Sequence, residues 1–137
     1  MPRARRPSPP AVLRARVWVE RGGRIALTDA GADLLEQIQA KGSLSEAARS
    51  LRFSYRRAWM LLDAMNRRWD GPLVVTSVGG RRGGGARLTD LGGRVLRSFR
   101  DLQIHIEAAI DREVAGFRRG AGAGAMTNDE ARMTKHE

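Results

Sequence analysis

The chain has 137 residues, with 25 Lys and Arg against 15 Asp and Glu, a formal net charge of +10 and no cysteine. That length holds one modest core. The cysteine count excludes disulfides and thiolate metal sites, and fits a reducing compartment. No apolar run approaches the ~20 residues of a membrane span, and the basic, proline-rich start "MPRARRPSPPA" lacks the apolar stretch of a secretory signal. The expectation is a cytoplasmic protein that touches no membrane.

A small protein this basic points to a polyanionic partner, nucleic acid first. High-GC coding also favours Arg, Ala and Gly, so position weighs more than the total. From Gly42 to Thr89 there are nine basic residues and three acidic ones, so the middle of the chain carries +6 by itself.

Residues 1–11 are expected to be a disordered basic arm. Leu13, Ala15, Val17 and Val19 then alternate with Arg14, Arg16 and Trp18, the period of a half-buried strand. Gly22-Gly23 can take the positive φ of a tight turn into Ile25–Leu27, which predicts a β-hairpin. Thr28-Asp29 offers an N-cap to a first helix with Leu34, Leu35 and Ile38 at helical spacing, and Gly42 suits its C-cap. Ser43 with Glu46 is a capping box for a short second helix, to about Leu51. Ser54 caps a third, "YRRAWMLLDAMNRRW". Two helices joined by so short a turn form a helix-turn-helix.

At about 100° per residue, the third helix sorts by face. Tyr55, Ala58, Trp59, Leu62, Met65, Asn66 and Trp69 fall on one side, and packing is the expected role of Trp59 and Trp69. Arg56, Arg57, Met60, Ala64 and Arg67 fall on the other. Two of those arginines sit in the first turn, where the helix dipole disfavours cations. Contact with DNA would offset that.

"GPLVVTSV" reads as a strand from Leu73 and "ARLT" as its partner, with "GGRRGGG" between them. A nucleotide-phosphate loop would need a lysine followed by Ser or Thr and would lead into a helix. This loop has neither residue there and leads into a strand. It reads as a wing, whose glycines let the backbone approach phosphate or the minor groove while Arg81 and Arg82 supply charge.

Thr89-Asp90 caps a last helix. Its stripe of Leu91, Val95, Phe99, Leu102, Ile106, Ala109 and Ile110 runs to about Val114, roughly 37 Å at ~1.5 Å per residue. A domain this small does not need such length, so the stripe, over about 90–116, is expected to be a homodimer interface. Residues 118–137 have no periodicity and are expected to be a disordered tail. His105 and His136 are isolated and expected in solvent. Segments 21–35 and 82–96 match at eight of fifteen positions, each a turn, a strand and a capped helix. The expected fold over 12–117 is thus α+β, mainly α: a winged helix-turn-helix with an N-terminal β-hairpin and a long C-terminal dimerisation helix.

The strings "GSLSEAARSLRFSYRRAWMLLDAMN", "PLV" and "GGRRGGGARLTDLG" resemble the N-terminal DNA-binding domain of the molybdate-responsive, ModE-like transcription regulators, and LysR-type winged helices more distantly. The match covers about Ile25 to Leu102. Ser54-Tyr55, Ala58-Trp59, Met65-Asn66 and Gly83-Gly84-Gly85-Ala86 carry it. The resemblance implies a homodimeric regulator on double-stranded DNA. Members of full length carry C-terminal domains that bind molybdate or tungstate. Here a glycine-rich tail follows the long helix, so a chain without them is expected, its effector link unproven.

The expected DNA contacts are Ser43, Ser45, Ser54, Tyr55, Arg56, Arg57, Met60, Arg67, Arg81 and Arg82. The expected dimer interface is Leu91, Val95, Phe99, Leu102, Ile106 and Ile110. No paired carboxylates, Ser-His-Asp set or metal-ligand spacing appears, so no enzyme, metal or cofactor is expected. Two other readings are an oxyanion-binding module built on the arginine-glycine loops and a non-specific, nucleoid-type DNA binder.

Overall fold

The computed structural model describes residues 3–78 and 84–122, in two compact units. The first is Arg16–Gln103. It holds β1 (Val19–Arg21), β2 (Arg24–Leu27), α1 (Asp29–Lys41), α2 (Leu44–Leu51), α3 (Tyr55–Arg68), β3 (Val74–Thr76), β4 (Ala86–Leu88) and the start of α4 (Asp90–Gly122).

β1 and β2 pair antiparallel through Gly22 and Gly23, at φ 59° and 75°. Both glycines are at positive φ, as a two-residue hairpin turn of the favoured hand requires. The strand expected from Leu13 is far shorter: residues 11–18 form no ladder, and Val12, Leu13 and Trp18 are exposed. Alternation specifies a strand only where one face is buried and a neighbour supplies the ladder. β2 is four residues long, and the pairing runs out at Val19.

The internal echo is realised as repeated geometry. After β2, Thr28 Oγ1 accepts from the Gly31 N–H (3.2 Å); after β4, Thr89 Oγ1 accepts from the Gly92 N–H (3.0 Å). Each threonine caps the next helix by satisfying one of its free amides. α1 ends on Gly42, at φ 71°, whose N–H bonds the Ile38 carbonyl. Leu27, Leu34, Leu35, Ile38, Leu73 and Val74 are the large side chains with least exposure, and Ala47, Ala58, Leu62, Met65, Leu96 and Phe99 complete the core around them. Alanine at 32, 47, 48 and 58 lets the helices approach closely.

α4 is locked to this core at its first turn. The Thr89 hydroxyl donates chiefly to the Pro72 carbonyl (2.7 Å), and the Leu73 carbonyl accepts from the Thr89 N–H (2.9 Å). A Cβ on Gly92 would run into that same carbonyl. Farther along, Arg100 bonds Asp33 and Glu36 of α1, each at 2.7 Å, and Gln103 donates to Asp29. The hydrogen bond to Glu36, more than any other contact, holds the Arg100 pKa above its usual value against the cost of burial. Val95 and Phe99 are 8% and 3% exposed within their own unit and Leu91 is half-buried, whereas Leu102 is 41% exposed. The chain's own core therefore covers Val95 and Phe99, two of the residues expected at a dimer interface.

In the second unit, residues 3–15 are exposed and without regular structure, and α4 continues from Ile104 to Gly122. Arg118 donates to the Ala11 carbonyl at 3.0 Å. Ile106, Ala109, Ile110 and Val114 are half-buried; Ile104, His105 and Phe117 are exposed. The helix passes the expected end at Val114, so residues 118–122 are helical and not part of a tail. The rest of the expected tail, with His136, lies outside the described residues. Among the described residues no helix is long and apolar enough to cross a membrane. A helix-turn-helix followed by a two-stranded hairpin and a further helix is the winged-helix arrangement, α+β and mainly helical.

Gly92→Ala and Gly93→Ala separate backbone contact from helix propensity. At Gly93 an added Cβ meets only the far end of the Arg97 side chain. Gly92→Ala is expected to destabilise by about 1–3 kcal/mol through overpacking. Gly93→Ala should be neutral or stabilise by up to ~1 kcal/mol. Urea unfolding of both variants measures the difference.

Candidate nucleic-acid interface

The interface is built from α2, the turn after it, α3 and the β3–β4 hairpin. Ser43 caps α2: its Oγ accepts from the Glu46 N–H (3.3 Å) and lies 3.0 Å from Ser45 Oγ. Arg52 closes α2 in the left-handed region at φ 58°, a conformation that favours glycine. That residue reverses the chain within three positions, and Ser54 then caps α3 by accepting from the Arg57 N–H (3.1 Å).

The inner face of α3 is Ala58, Leu62 and Met65, all buried. Arg56, Arg57, Met60, Ala64 and Arg67 are exposed on the outer face, as their spacing predicts. The structure gives two of these arginines partners. Arg57 lies over the Phe53 ring, 3.9 Å from its centroid, and Arg67 pairs with Asp63 at 3.1 Å. Arg67 therefore offers an anion less net charge than Arg56. The two pairings behave differently on recruitment, since a ring leaves the Arg57 charge intact.

Tyr55 and Trp59 depart from the expected core stripe. They are 57% and 51% exposed. A helical projection puts them on the side toward the hairpin, but the packing surface there stops short of them. Trp69 is half-buried, and its Nε1 donates to the Ala26 carbonyl at 3.2 Å.

Asn66 carries a role that its place on the wheel does not reveal. Its Oδ1 accepts from the Leu73 and Val74 N–H groups (2.9 and 3.2 Å), and its Nδ2 donates to the Val74 carbonyl (3.0 Å). One side chain thus fixes the hairpin's first strand to α3. β3 and β4 pair antiparallel, Val74 opposite Leu88 and Thr76 opposite Ala86. Ser77 extends the ladder, its N–H donating to the Gly85 carbonyl (2.8 Å) while its Oγ accepts from the Gly85 N–H (3.2 Å). The Ala86 N–H bonds the Gly42 carbonyl, which ties β4 to the end of α1. Arg81 and Arg82, expected at the wing tip, lie outside the described residues. Among the described residues no polar or charged side chain is buried, and no group of three His, Asp or Glu is placed to hold a metal ion.

Asn66→Ala should leave the Leu73 and Val74 amides without their partner and cost about 2–3 kcal/mol. Hydrogen exchange is the direct measurement: the Leu73 and Val74 amides should speed up more than those of α1. Equal acceleration in both places would contradict this linking role.

No protein-family model matches the chain. The chain is 42% identical over 98 residues to the molybdenum transport protein ModE of Azotobacter vinelandii, covering 72% of this chain and 36% of the relative. It is 38% identical over 74 residues to the DNA-binding transcriptional dual regulator ModE of Escherichia coli K12, covering 54% of this chain and 28% of that one. Among solved structures, a mutant of S. aureus MepR superimposes with a TM-score of 0.53 at 16% identity, covering 80% of this chain and 74% of that one, a likeness of fold alone. The chain spans about a third of the length of the curated relatives it matches. Over that span it is a winged-helix homologue of the ModE transcriptional regulators.

Proposed function

We propose that this chain is a sequence-specific DNA-binding transcription regulator, not an enzyme, acting as a homodimer in the cytoplasm, on the nucleoid. One observation carries the reading: α3 buries its inner face and presents Arg56, Arg57 and Met60 to solvent beside the β3–β4 hairpin. An α-helix fits the major groove, where an arginine can bond guanine O6 and N7 together. Ser54, Arg56, Arg57 and Met60 enter the groove, and Tyr55 contacts the DNA beside them. Ser43, Ser45 and the free amides at the start of α2 hold phosphate. Arg67 adds a weaker backbone contact, and Arg81 and Arg82 reach the neighbouring backbone or minor groove from the wing. The A. vinelandii relative is a molybdenum transport protein by name, and a molybdate or tungstate effector is the corresponding proposal for the regulated signal. The oxyanion-module reading has less support, because such a module needs buried donors.

The dimer reading rests on Leu102, Ile106 and Ile110, spaced four residues apart on α4. Leu102 also borders an apolar cleft of about 390 Å³ with Val19, Leu27 and Trp69, which a second copy would cover. Two copies then read an inverted repeat, with half-sites about one or two helical turns apart.

Arg56→Ala is expected to relax preference at one base pair per half-site, by about 1–3 kcal/mol. Arg82→Ala should weaken all duplexes alike and reduce the salt slope by about 1. Binding isotherms on a matched and a substituted duplex, at several salt concentrations, distinguish the two effects. An Arg56→Ala variant with unchanged base preference would refute the contact assigned to it.

A further inference from the structure

Tyr55 and Trp59 share a cleft of about 440 Å³ with Ser45, Thr76, Ser77 and Gly84, in the crook between the two-helix motif and the β3–β4 hairpin. Exposed tryptophan is costly in a core this small, and it stands here beside a second exposed ring. Gly84 keeps the hairpin wall flat: a Cβ there would strike the Ser77 carbonyl oxygen. Three of the lining side chains, Ser45, Thr76 and Ser77, are aliphatic hydroxyls, and Tyr55 adds a phenolic one. Ser77 Oγ already accepts from the Gly85 N–H, so its own O–H is left to donate. Ser43 Oγ accepts from the Glu46 N–H and can donate to Ser45 Oγ, which leaves the Ser45 O–H free as well.

We infer that this crook seats one sugar–phosphate strand of duplex DNA, with Tyr55 and Trp59 against deoxyribose and the Ser45, Thr76 and Ser77 hydroxyls on phosphate oxygens. The inference rests on the DNA-binding reading above and assigns Trp59 a contact that helical periodicity gives to the core. Chemistry selects the occupant. Arg56 and Arg57 lie on the outer face of α3, outside the lining of this cleft, so its attraction for an anion comes from the α2 N-terminus beside Ser45 and from the hydroxyl donors. A protein anchor would want a dry apolar pocket; rings mixed with hydroxyl donors suit a sugar and its phosphate. In a duplex the bases are stacked inward, so a cleft that flanks a helix lying in the groove meets the backbone. A seat of this kind carries no sequence information. It sets how deeply and at what angle α3 enters the groove.

The test uses the full chain and two duplexes, one enriched from random sequence by the wild-type protein and one scrambled. Trp59→Ala should weaken binding about tenfold, ~1.4 kcal/mol, on both duplexes. The salt slope should stay unchanged, because no charge is lost. Hydroxyl-radical footprinting should lose protection of one or two deoxyriboses per half-site, and Trp59→Phe, which keeps a ring, should recover most of both signals. Ser77→Asp retains an acceptor for the Gly85 N–H and places a carboxylate in the crook. It should weaken both duplexes by at least as much, and it decides the matter if Trp59→Ala does not fold. Wild-type affinity and footprint in folded Trp59→Ala and Ser77→Asp would overturn the inference and leave the DNA-binding reading intact. Loss confined to the enriched duplex would overturn it in favour of base contact. A wild-type protein that binds neither duplex would overturn both.

Discussion

The peptide between Leu73 and Val74 is the point on which the rest of the unit turns. On one side Asn66 of α3 takes both amides and the Val74 carbonyl. On the other, the Leu73 carbonyl receives the Thr89 amide with Gly92 pressed against it, and the neighbouring Pro72 carbonyl receives the Thr89 hydroxyl. α3, the hairpin and α4 all meet one stretch of backbone. Buried backbone groups must be paired, so the register of the hairpin, the angle of α3 and the start of α4 are set together. A flat hydrophobic contact would not fix them so closely. The proposed function needs that rigidity, because a helix reads base edges only if its hairpin neighbour holds a fixed distance from it.

Charge is distributed to the same end. The acidic side chains that make ion pairs are spent largely within the scaffold. Asp33 and Glu36 hold Arg100, and Asp70 meets Arg21, which also lies 5.2 Å from the Trp69 ring centroid. The first turn of α3 has no acidic residue. Its two arginines face a helix dipole that opposes them, one resting on the Phe53 ring. A phosphate-rich partner reverses the sign of that local penalty. This is a physical reason for arginines at this end of the helix, where a protein selected for stability alone would place acids.

Much of this was legible in the sequence, and the legible parts share a cause. Helix ends are decided by local hydrogen bonds, so Thr28, Ser43, Ser54 and Gly42 announce themselves within four residues of what they cap. The repeated strand–threonine–glycine pattern returned as repeated geometry, at Thr28 and Gly31 after β2 and at Thr89 and Gly92 after β4, for the same reason. Non-local decisions were not legible. Leu13 to Trp18 alternate like a strand, yet among the described residues none pairs with them. Trp59 sits on the apolar side of a helical projection, but a projection does not show where the opposing surface ends. The stripe on α4 reaches only Val114 while the helix runs to Gly122, and nothing in that stripe tells Val95 and Phe99, buried in the chain's own core, from Leu102, which is exposed. Asn66 gave no signal beyond its presence in the motif that resembles the ModE-like regulators.

The central claim is that the outer face of α3 reads sequence in duplex DNA and that two copies do so together. Selection from random-sequence duplex DNA with the purified chain, at about 0.15 M salt, where the Debye length is ~8 Å, tests it most directly. The account predicts enrichment of an inverted repeat whose half-site centres lie one or two helical turns apart. Retention of duplex without any enriched sequence would contradict it, and would mean that the basic face of this winged helix only neutralises phosphate.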